Sequence, residues 1–298
     1  MAAVRKIGKG QYIMAALLTL FMLLCFLPVL LVLIVSLSDQ ASINARGFSF
    51  FPTAWSIVGY EYVMRFGQQL SRSYQVTILV TISGTFLTLL LTSMFAFTLS
   101  RKDFLLRGPL AFFLLGTMLF NGGILGSYLV NTNIFNLRNN ILVLIMPGAV
   151  SAMNCIVMRT FIQSNVPDSL VEAAKIDGAN DLLLFFRIVV PIMAPVLAAI
   201  GFMSAVGYWN EWQSAILYID DPKKATLQLM LMRIELNLNF MKQQIANLTA
   251  EELVWLRNAP DETARMALLM CALGPILVIY PFFQKHFIRG ITIGAVKG

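Results

Sequence analysis

Few residues in this sequence combine a reactive type with a spacing that could support chemistry. The single histidine, His286, lies beside Lys285, where we expect an interfacial or partner contact rather than catalysis. The three cysteines, Cys25, Cys155 and Cys271, fall in separate apolar runs, so neither a disulfide framework nor a metal-ligand spacing is available. No H-E-x-x-H or G-x-S-x-G pattern occurs, and no apolar run contains a pair of Asp residues. The sequence therefore predicts no catalytic site and no metal site, which argues against an intramembrane enzyme.

The strongest candidate for a ligand-binding group is Glu211, the one carboxylate inside an apolar run. An ionisable group at membrane depth is costly enough to be treated as functional. Aromatic faces and hydrogen-bonding groups together can bind a polar ligand, so Trp209, Asn210 and Glu211 are candidates for lining a substrate pathway. The alternative is that Glu211 lies near the outer interface, with Trp209 and Trp212 in an aromatic belt. Both interpretations stay open.

A second candidate group approaches the outer end of the third apolar run. Asn121 and Tyr128 flank the Gly122-Gly123 pair, and such glycines permit irregular backbone where it lines a cavity. We therefore include Asn121 and Tyr128 in the possible substrate pathway, with ordinary packing as the alternative.

Helices in a lipid membrane must position these side chains. The chain is 58% hydrophobic and 12% charged, more apolar than a soluble core of this length needs. A run of about 20 apolar residues crosses the hydrocarbon layer as a helix. We predict an all-α membrane protein, one transmembrane domain over residues 1–298 with six transmembrane helices, at about 12–36, 74–99, 110–129, 141–161, 185–218 and 267–283.

The basic residues of the short loops predict the orientation, because such loops on the cytoplasmic side are enriched in Lys and Arg. This rule places both chain ends, the 166–184 loop and the tail at 284–298 inside, and the 219–262 loop outside. The net charge of +7 is then a topological signal, and we expect no nucleic acid partner. The residues that carry this signal are Arg5, Lys6, Lys9, Arg101, Lys102, Arg107, Lys285, Arg289 and Lys297.

The 166–184 loop is polar and contains the pattern of a short capped helix. Ser169 and Glu172 fit the S-x-x-E capping box, which predicts that a helix begins at Ser169. Gly178 suits the left-handed position that follows a helix end. A helix of about two turns is unstable alone in water, so another element must hold it.

One face of this short helix is predicted to be flat. Leu170, Ala173, Ala174 and Asp177 have the i, i+3, i+4, i+7 spacing, and the two alanines leave room for a close partner. An ordinary capped loop is the alternative.

Residues downstream of Gly178 predict how the chain returns to the membrane. Asn180 or Asp181 can cap the next helix. Pro191 and Pro195 should bend or loosen the start of the span that follows. Such a bent helix suits an element that relays motion of the loop.

The spacing of this loop resembles the E-A-A-x-x-x-G-x(9)-I-x-x-P loop of binding-protein-dependent ABC importer permeases. The matching residues are Glu172-Ala173-Ala174, Gly178, Ile188 and Pro191. The flanking sequence segments are similar to those of the carbohydrate-uptake branch of this family. They most resemble the smaller permease of the maltose type, in the subset associated with complex oligosaccharides and polysaccharides. These segments comprise Phe120-Asn121-Gly122-Gly123, Met158-Arg159-Thr160-Phe161, Ile176 to Asn180, Tyr208 to Trp212 and Gly294 to Gly298.

The resemblance implies the type I ABC importer permease fold, with a cytoplasmic coupling helix between helices 4 and 5 that docks on an ATPase. It also implies a multi-pass subunit of the bacterial cytoplasmic membrane. The implied partners are a second permease subunit in a heterodimer, two cytoplasmic ATPase subunits and an extracytoplasmic sugar-binding protein. No G-x-x-x-x-G-K-[ST] phosphate loop occurs, so ATP and magnesium are expected on the partner subunits and no cofactor on this chain.

The sequence defines the role of the outer segment, residues 219–262, and the identity of the transported substrate less closely. In maltose-type permeases the corresponding loop meets the binding protein; here it contains a predicted amphipathic stretch, Leu227 to Leu238, and simple packing is the alternative. An anionic cargo such as alginate or another uronate oligosaccharide is neither favoured nor excluded. An ion-coupled secondary transporter is the competing function, and it would need Glu211 as its coupling group.

Overall fold

The computed structural model describes residues 9–120, 122–243 and 261–295. These ranges are largely helical, and the one β feature in them is an isolated antiparallel bridge between Ser38 and Trp55. The α-helices are α1 Lys9–Ser36, α2 Gln40–Arg46, α3 Val58–Met64, α4 Gly67–Ser100, α5 Arg107–Leu119, α6 Gly123–Leu129, α7 Ala152–Asn165, α8 Asp168–Ile176, α9 Asp181–Leu184, α10 Val190–Ile192, α11 Ala194–Trp209, α12 Gln213–Tyr218, α13 Leu227–Gln243 and α14 Asp261–Ala295. The described ranges also contain two π-helical segments, Val130–Ile134 and Phe185–Val189, and two 3₁₀ turns, Ile141–Leu144 and Pro222–Lys224.

Three helices in the described ranges are long and apolar enough to cross a membrane singly: α1 from Gly10, α4, and α14 over Asp261–Ile279. Two bent pairs qualify if each counts as one span, namely α5 with the helix over Gly123–Ile134, and Asp181–Ile192 with α11. The all-helical membrane architecture is therefore confirmed. The count is three to five in the described ranges, so six spans stay a prediction.

The predicted fourth span, residues 141–161, is not one continuous helix. The chain makes a 3₁₀ turn at Ile141–Leu144, and α7 begins only at Ala152. The Pro147-Gly148 dipeptide between them is a turn signal. Ser151 then caps α7 by accepting a hydrogen bond from the backbone N–H of Asn154. Averaging the hydrophobicity over residues 141–161 did not reveal this interruption, which the local turn residues cause.

One compact unit is built from the described parts of Met1–Gly67 and Arg233–Pro275. The side-chain oxygen of Gln40 accepts hydrogen bonds from the backbone N–H and the hydroxyl of Thr263, at 3.2 and 3.3 Å. These bonds fix the start of α2 against the first turn of α14. The amphipathic stretch predicted from Leu227 is helical, because it lies within α13.

The second unit is built from Gln68–Met232 and the described part of Ile276–Gly298. It contains two apolar clusters of buried side chains. The first supports α8 and includes Phe97, Met158, Ala174, Leu184, Phe185, Val189 and Met193. The second surrounds α12 and includes Val80, Val143, Leu144, Tyr208, Ala215, Tyr218 and Leu229.

Tyr208 joins α11 to α4 in the second cluster. Its hydroxyl donates a hydrogen bond to the Ile145 carbonyl at 3.1 Å and lies 3.1 Å from the Thr88 hydroxyl. The ring lies directly on Gly84, where an added Cβ would stand 2.7 to 2.8 Å from three ring atoms. Because both ends of the tyrosine are held, the ring has no room to yield. Gly84 is required by this close approach.

We expect Gly84→Ala to destabilise the protein by about 1–3 kcal/mol, the usual cost of overpacking a core. Gly116→Ala in α5 is the matched control, because a Cβ added there meets no atom within 4 Å. Thermal unfolding of the purified complex checks the pair: Gly84→Ala lowers the unfolding temperature and Gly116→Ala does not. Equal unfolding temperatures for the two variants would contradict the packing described for Tyr208.

Candidate functional site

Helix α8 is the polar helix predicted in the 166–184 loop, but it does not begin as expected. It begins at Asp168, its N-cap is Pro167 in an extended conformation, and no side chain caps it. The capping box of Ser169 and Glu172 is therefore wrong. The Asp168 carboxylate accepts a 2.6 Å hydrogen bond from Lys102 Nζ. We attribute the earlier start to this contact and to the favourable position of an acidic side chain at a helix N-terminus.

The backbone conformation at the end of α8 is the one predicted from the sequence. Gly178 has φ of +82°, the left-handed conformation predicted for it. Asn180 then caps α9, because its side-chain oxygen accepts a 2.8 Å hydrogen bond from the backbone N–H of Leu183. The chain thus reverses between two short helices through one glycine and one asparagine.

The flat face predicted on α8 is divided in the structure. Ala174 is buried, and with partly buried Val171 it packs on the first apolar cluster. Leu170, Ala173 and Asp177 stay exposed. Ala174 faces the cluster because a helix of two turns is unstable in water unless one side packs against other residues.

The exposed stripe of α8 consists of Ser169, Glu172, Ala173 and Ile176, which have the i, i+3, i+4, i+7 spacing. Ile176 is 86% exposed, although it is a large apolar residue. The stripe therefore presents one large apolar side chain, two polar side chains and one alanine to its surroundings. This exposed stripe shares Ala173 with the predicted flat face and leaves out the buried Ala174.

Ile188 and Pro191 connect α8 to the membrane helices. Ile188 lies in the π-helical segment and packs on the first apolar cluster. Pro191 lies in α10, and the axis of Asp181–Ile192 meets that of α11 at 81°. The predicted bend at the start of this span is confirmed. A proline removes a backbone donor and so weakens the helix where it bends.

A charged network attaches α8 to the loop that follows α4. Lys175 Nζ on α8 lies 2.8 Å from Asp103 Oδ2, and Arg101 lies 2.8 Å from the same oxygen. Lys102 and Asp168 form the second link between the two segments. We call these five residues the α8 network. They border a cavity of about 390 Å³ whose apolar wall includes Phe97 and Ile162.

Asp103 is the centre of the α8 network. Hydrogen bonds from the Arg101 guanidinium and then from the Lys175 ammonium hold the pKa of the Asp103 carboxyl well below its usual range. The hydrogen bond to Asp103 likewise raises the pKa of Arg101. Because the folded pKa of Asp103 is below the unfolded value of about 3.9, its contribution to stability is complete above that pH. The contribution is lost as the pH falls through the folded pKa.

We expect Asp103→Asn to loosen α8 by about 1 kcal/mol, because the pairs are exposed and screened by solvent. The amides of α8 should then exchange about fivefold faster with deuterium in the purified complex. Asp220→Asn is the matched control, since Asp220 forms an exposed ion pair with Arg138 in another loop. Wild-type protection of α8, corrected for intrinsic exchange, should persist down to about pH 4. Unchanged exchange in Asp103→Asn would contradict the network.

The predicted pathway residue Glu211 is not inside a continuous helix. Helix α11 ends at Trp209, and the Glu211 carboxylate accepts a 2.7 Å hydrogen bond from the Ser214 backbone N–H at the start of α12. Glu211 is partly exposed, and Asn210 is exposed and accepts a hydrogen bond from the Gln228 amide. A carboxylate near a helix start satisfies free amides and the dipole. The predicted continuous span is therefore interrupted after Trp209, and the pathway role of Glu211 stays a prediction.

The aromatic candidates have separate neighbours. The Trp209 ring is buried and lies 6.4 Å from the Tyr74 ring. Tyr128 stacks on Tyr218 with ring centres 5.5 Å apart, and the Tyr218 hydroxyl accepts a hydrogen bond from the buried Asn131 amide. Asn121 lies outside the described residues. Sequence reasoning missed Asn131, three residues after Tyr128, and Tyr218, which only the fold brings to Tyr128.

The described residues include no group of three or more His, Cys, Asp or Glu side chains close enough to hold a metal ion. The described helices are those of a membrane protein in which a polar helix, α8, is joined to a bent helix pair. The chain belongs to the family described as binding-protein-dependent transport system inner membrane component, whose model matches residues 77–293. It is thus the inner-membrane, multi-pass permease component of such a system.

Two curated relatives and one solved structure resemble most of the chain. The polygalacturonan/rhamnogalacturonan transport system permease protein YtcP of Bacillus subtilis is 37% identical, over 94% of this chain and 96% of YtcP. Protein LplC of Bacillus subtilis is 35% identical, over 91% of this chain and 89% of LplC. A chain of a bacterial ABC transporter involved in import of the acidic polysaccharide alginate matches with TM-score 0.80 and 27% identity, over 95% of this chain and 100% of that one.

Proposed function

We propose that this chain forms half of the translocation path of an ATP-driven carbohydrate importer and that α8 is its coupling helix. The exposed stripe of α8, held by the α8 network, carries this proposal. A partner that moves α8 also moves the 101–103 loop and the bent helix pair, because ion pairs and the first apolar cluster join them. Motion at the stripe therefore reaches both α4 and α11.

The proposed importer also needs ATPase subunits, a second permease and a binding protein. Its sequence has no phosphate-binding loop, so two ATPase subunits supply ATP hydrolysis with magnesium from the cytoplasmic side. A second, similar permease completes the path as a heterodimer, and an extracytoplasmic binding protein delivers the sugar. Six spans with the 166–184 loop inside and the 219–262 loop outside are the topology we propose.

The cargo proposed is an oligosaccharide. Support comes from relatives named for polygalacturonan/rhamnogalacturonan transport and, at 28% identity, for melibiose/raffinose/stachyose import. Among the candidate pathway residues and their neighbours, partly exposed Tyr128 supplies an aromatic face and exposed Asn210 supplies hydrogen-bonding groups of the kind that bind sugars, whereas Trp209, Tyr218 and Asn131 are buried in the fold. An acidic oligosaccharide is the particular cargo we favour, since polygalacturonan and alginate are both polymers of uronic acids.

The alternative function, an ion-coupled secondary transporter, depends on Glu211 as the ion-coupling residue, and the contacts of Glu211 do not favour it. A carboxylate that couples transport to an ion must change partners during each cycle, whereas this one is bonded to the backbone N–H of Ser214.

Stimulation of ATPase activity tests the proposed cargo. The complex is purified with its ATPases and binding protein and supplied with galacturonate oligomers, alginate oligomers or raffinose. We expect acidic oligomers to raise the ATPase rate, and only when the binding protein is present. If amino acids or peptides stimulate the complex and no sugar does, the carbohydrate assignment is wrong.

A further inference from the structure

Arg159 is an unpaired cation on a predominantly apolar part of α7. Its Nε atom is shielded from solvent and has no hydrogen-bond partner among the described residues. Arg159 lies six residues before the end of α7, or about 9 Å along the helix axis. Arg159 is partly exposed as a whole, but a shielded N–H without an acceptor is unfavourable unless a ligand or another chain supplies one.

A narrow apolar cavity of about 140 Å³ adjoins this arginine. Its lining residues come from the end of α4, from α5 and from α7, and they are Leu99, Ala111, Leu114, Leu115, Ile156 and Arg159. The cavity is therefore a slot between helices that has hydrocarbon walls and a cation in its lining. Its volume suits part of an acyl chain rather than a water-soluble ion.

A second arginine lies on the same stripe of α5. Arg107, Ala111 and Leu114 have the i, i+4, i+7 spacing, so Arg107 lies one turn from the slot toward the helix start. The first turn of α5 has no acidic residue and no side-chain cap, so its positive dipole end adds to the Arg107 charge. Among the described residues no carboxylate forms an ion pair with Arg107 or Arg159.

We propose that the slot between α5 and α7 binds an anionic phospholipid, with its phosphate between Arg107 and Arg159 and one acyl chain along Ala111, Leu114 and Leu115. A phosphate diester supplies the acceptor that Arg159 Nε lacks, and its bidentate geometry suits a guanidinium. A position about 9 Å from the end of α7 allows the arginine to reach the headgroup layer with its aliphatic stem in hydrocarbon. The site is independent of α8 and of the cargo.

Lipid retention in the purified complex tests the site. The complex is exchanged into nanodiscs with equal parts of phosphatidylglycerol and phosphatidylcholine, and retained lipid is identified by native mass spectrometry. The wild type should retain phosphatidylglycerol preferentially. Arg159→Gln should weaken this preference about fivefold, because one basic residue near the membrane surface contributes that much to anionic lipid binding.

Two further variants separate the lipid site from general effects of charge and folding. Arg187→Gln is the matched control, because Arg187 is an exposed arginine of the π-helical segment after α9; it should retain lipid as the wild type does. Ala111→Leu fills the slot and keeps both arginines, so it should also lose phosphatidylglycerol, and it serves if Arg159→Gln does not assemble.

Three results would overturn the proposal. Equal retention of phosphatidylglycerol and phosphatidylcholine by the wild type would show that no anionic lipid is selected. Full retention by Ala111→Leu would place any bound lipid elsewhere. Displacement of the lipid by inorganic phosphate in solution would assign the arginines to a soluble anion, because a phosphate without acyl chains cannot use the slot.

Discussion

Gly178→Val should reduce transport about tenfold while leaving the amount of protein in the membrane unchanged. Gly178 has φ of +82°, and a β-branched residue in this region costs about 1–2 kcal/mol. No atom lies within 4 Å of a Cβ added at this position, so the cost arises from the backbone and not from a clash. The strain is relieved by unwinding the end of α8, which displaces the exposed stripe. A cost of 1.4 kcal/mol corresponds to a factor of about ten in the docked population.

Gly178→Asn is the matched control, because asparagine adds a larger side chain than alanine but tolerates the left-handed conformation. It should transport at close to the wild-type rate. The measurement is uptake of labelled oligosaccharide into proteoliposomes that contain the complete complex, with ATPase activity recorded in parallel. If Gly178→Val transports at the wild-type rate, α8 is not the coupling element.

Local chemistry explains which parts of the candidate site were predictable. Gly178 and Asn180 were predicted correctly because their conformations depend on a few neighbouring residues. The capping box at Ser169 was wrong because a contact distant in sequence decides the helix start. Asp168 pairs with Lys102, which is 66 residues away, and a local pattern contains no information on such a pair.

The α8 network was hidden for the same reason. Lys175 reaches Asp103 across 72 residues. In the sequence Arg101 and Lys102 were evidence of orientation alone. The signal that could have found the network is the presence of both signs of charge in each of two short loops predicted on the same side of the membrane.

Apolar composition predicted membrane helices but not their interruptions. A window across residues 141–161 averages over Pro147-Gly148, and a window across 185–218 averages over the break that follows Trp209. Glu211 thus seemed to lie inside a span, whereas it satisfies the start of α12. Turn signals in apolar runs should therefore be weighed before a polar residue in them is assigned a coupling role.

The second large effect is expected when the energy source of transport is tested, because uptake should be almost completely present or almost completely absent. The proposed importer uses ATP on partner subunits, so this chain reconstituted alone should move no sugar. Adding the ATPases, the paired permease and the binding protein should give uptake that requires ATP. Because the Glu211 side chain accepts a hydrogen bond from the Ser214 backbone N–H, and glutamine keeps that acceptor, Glu211→Gln should alter sugar handling at most.

Uptake by the reconstituted complex with and without a proton gradient is the most direct test of this account. We expect ATP-dependent accumulation of oligosaccharide that persists when an ionophore collapses the gradient, in the wild type and in Glu211→Gln. The account is contradicted if the isolated chain accumulates substrate under a proton or sodium gradient and Glu211→Gln abolishes that accumulation.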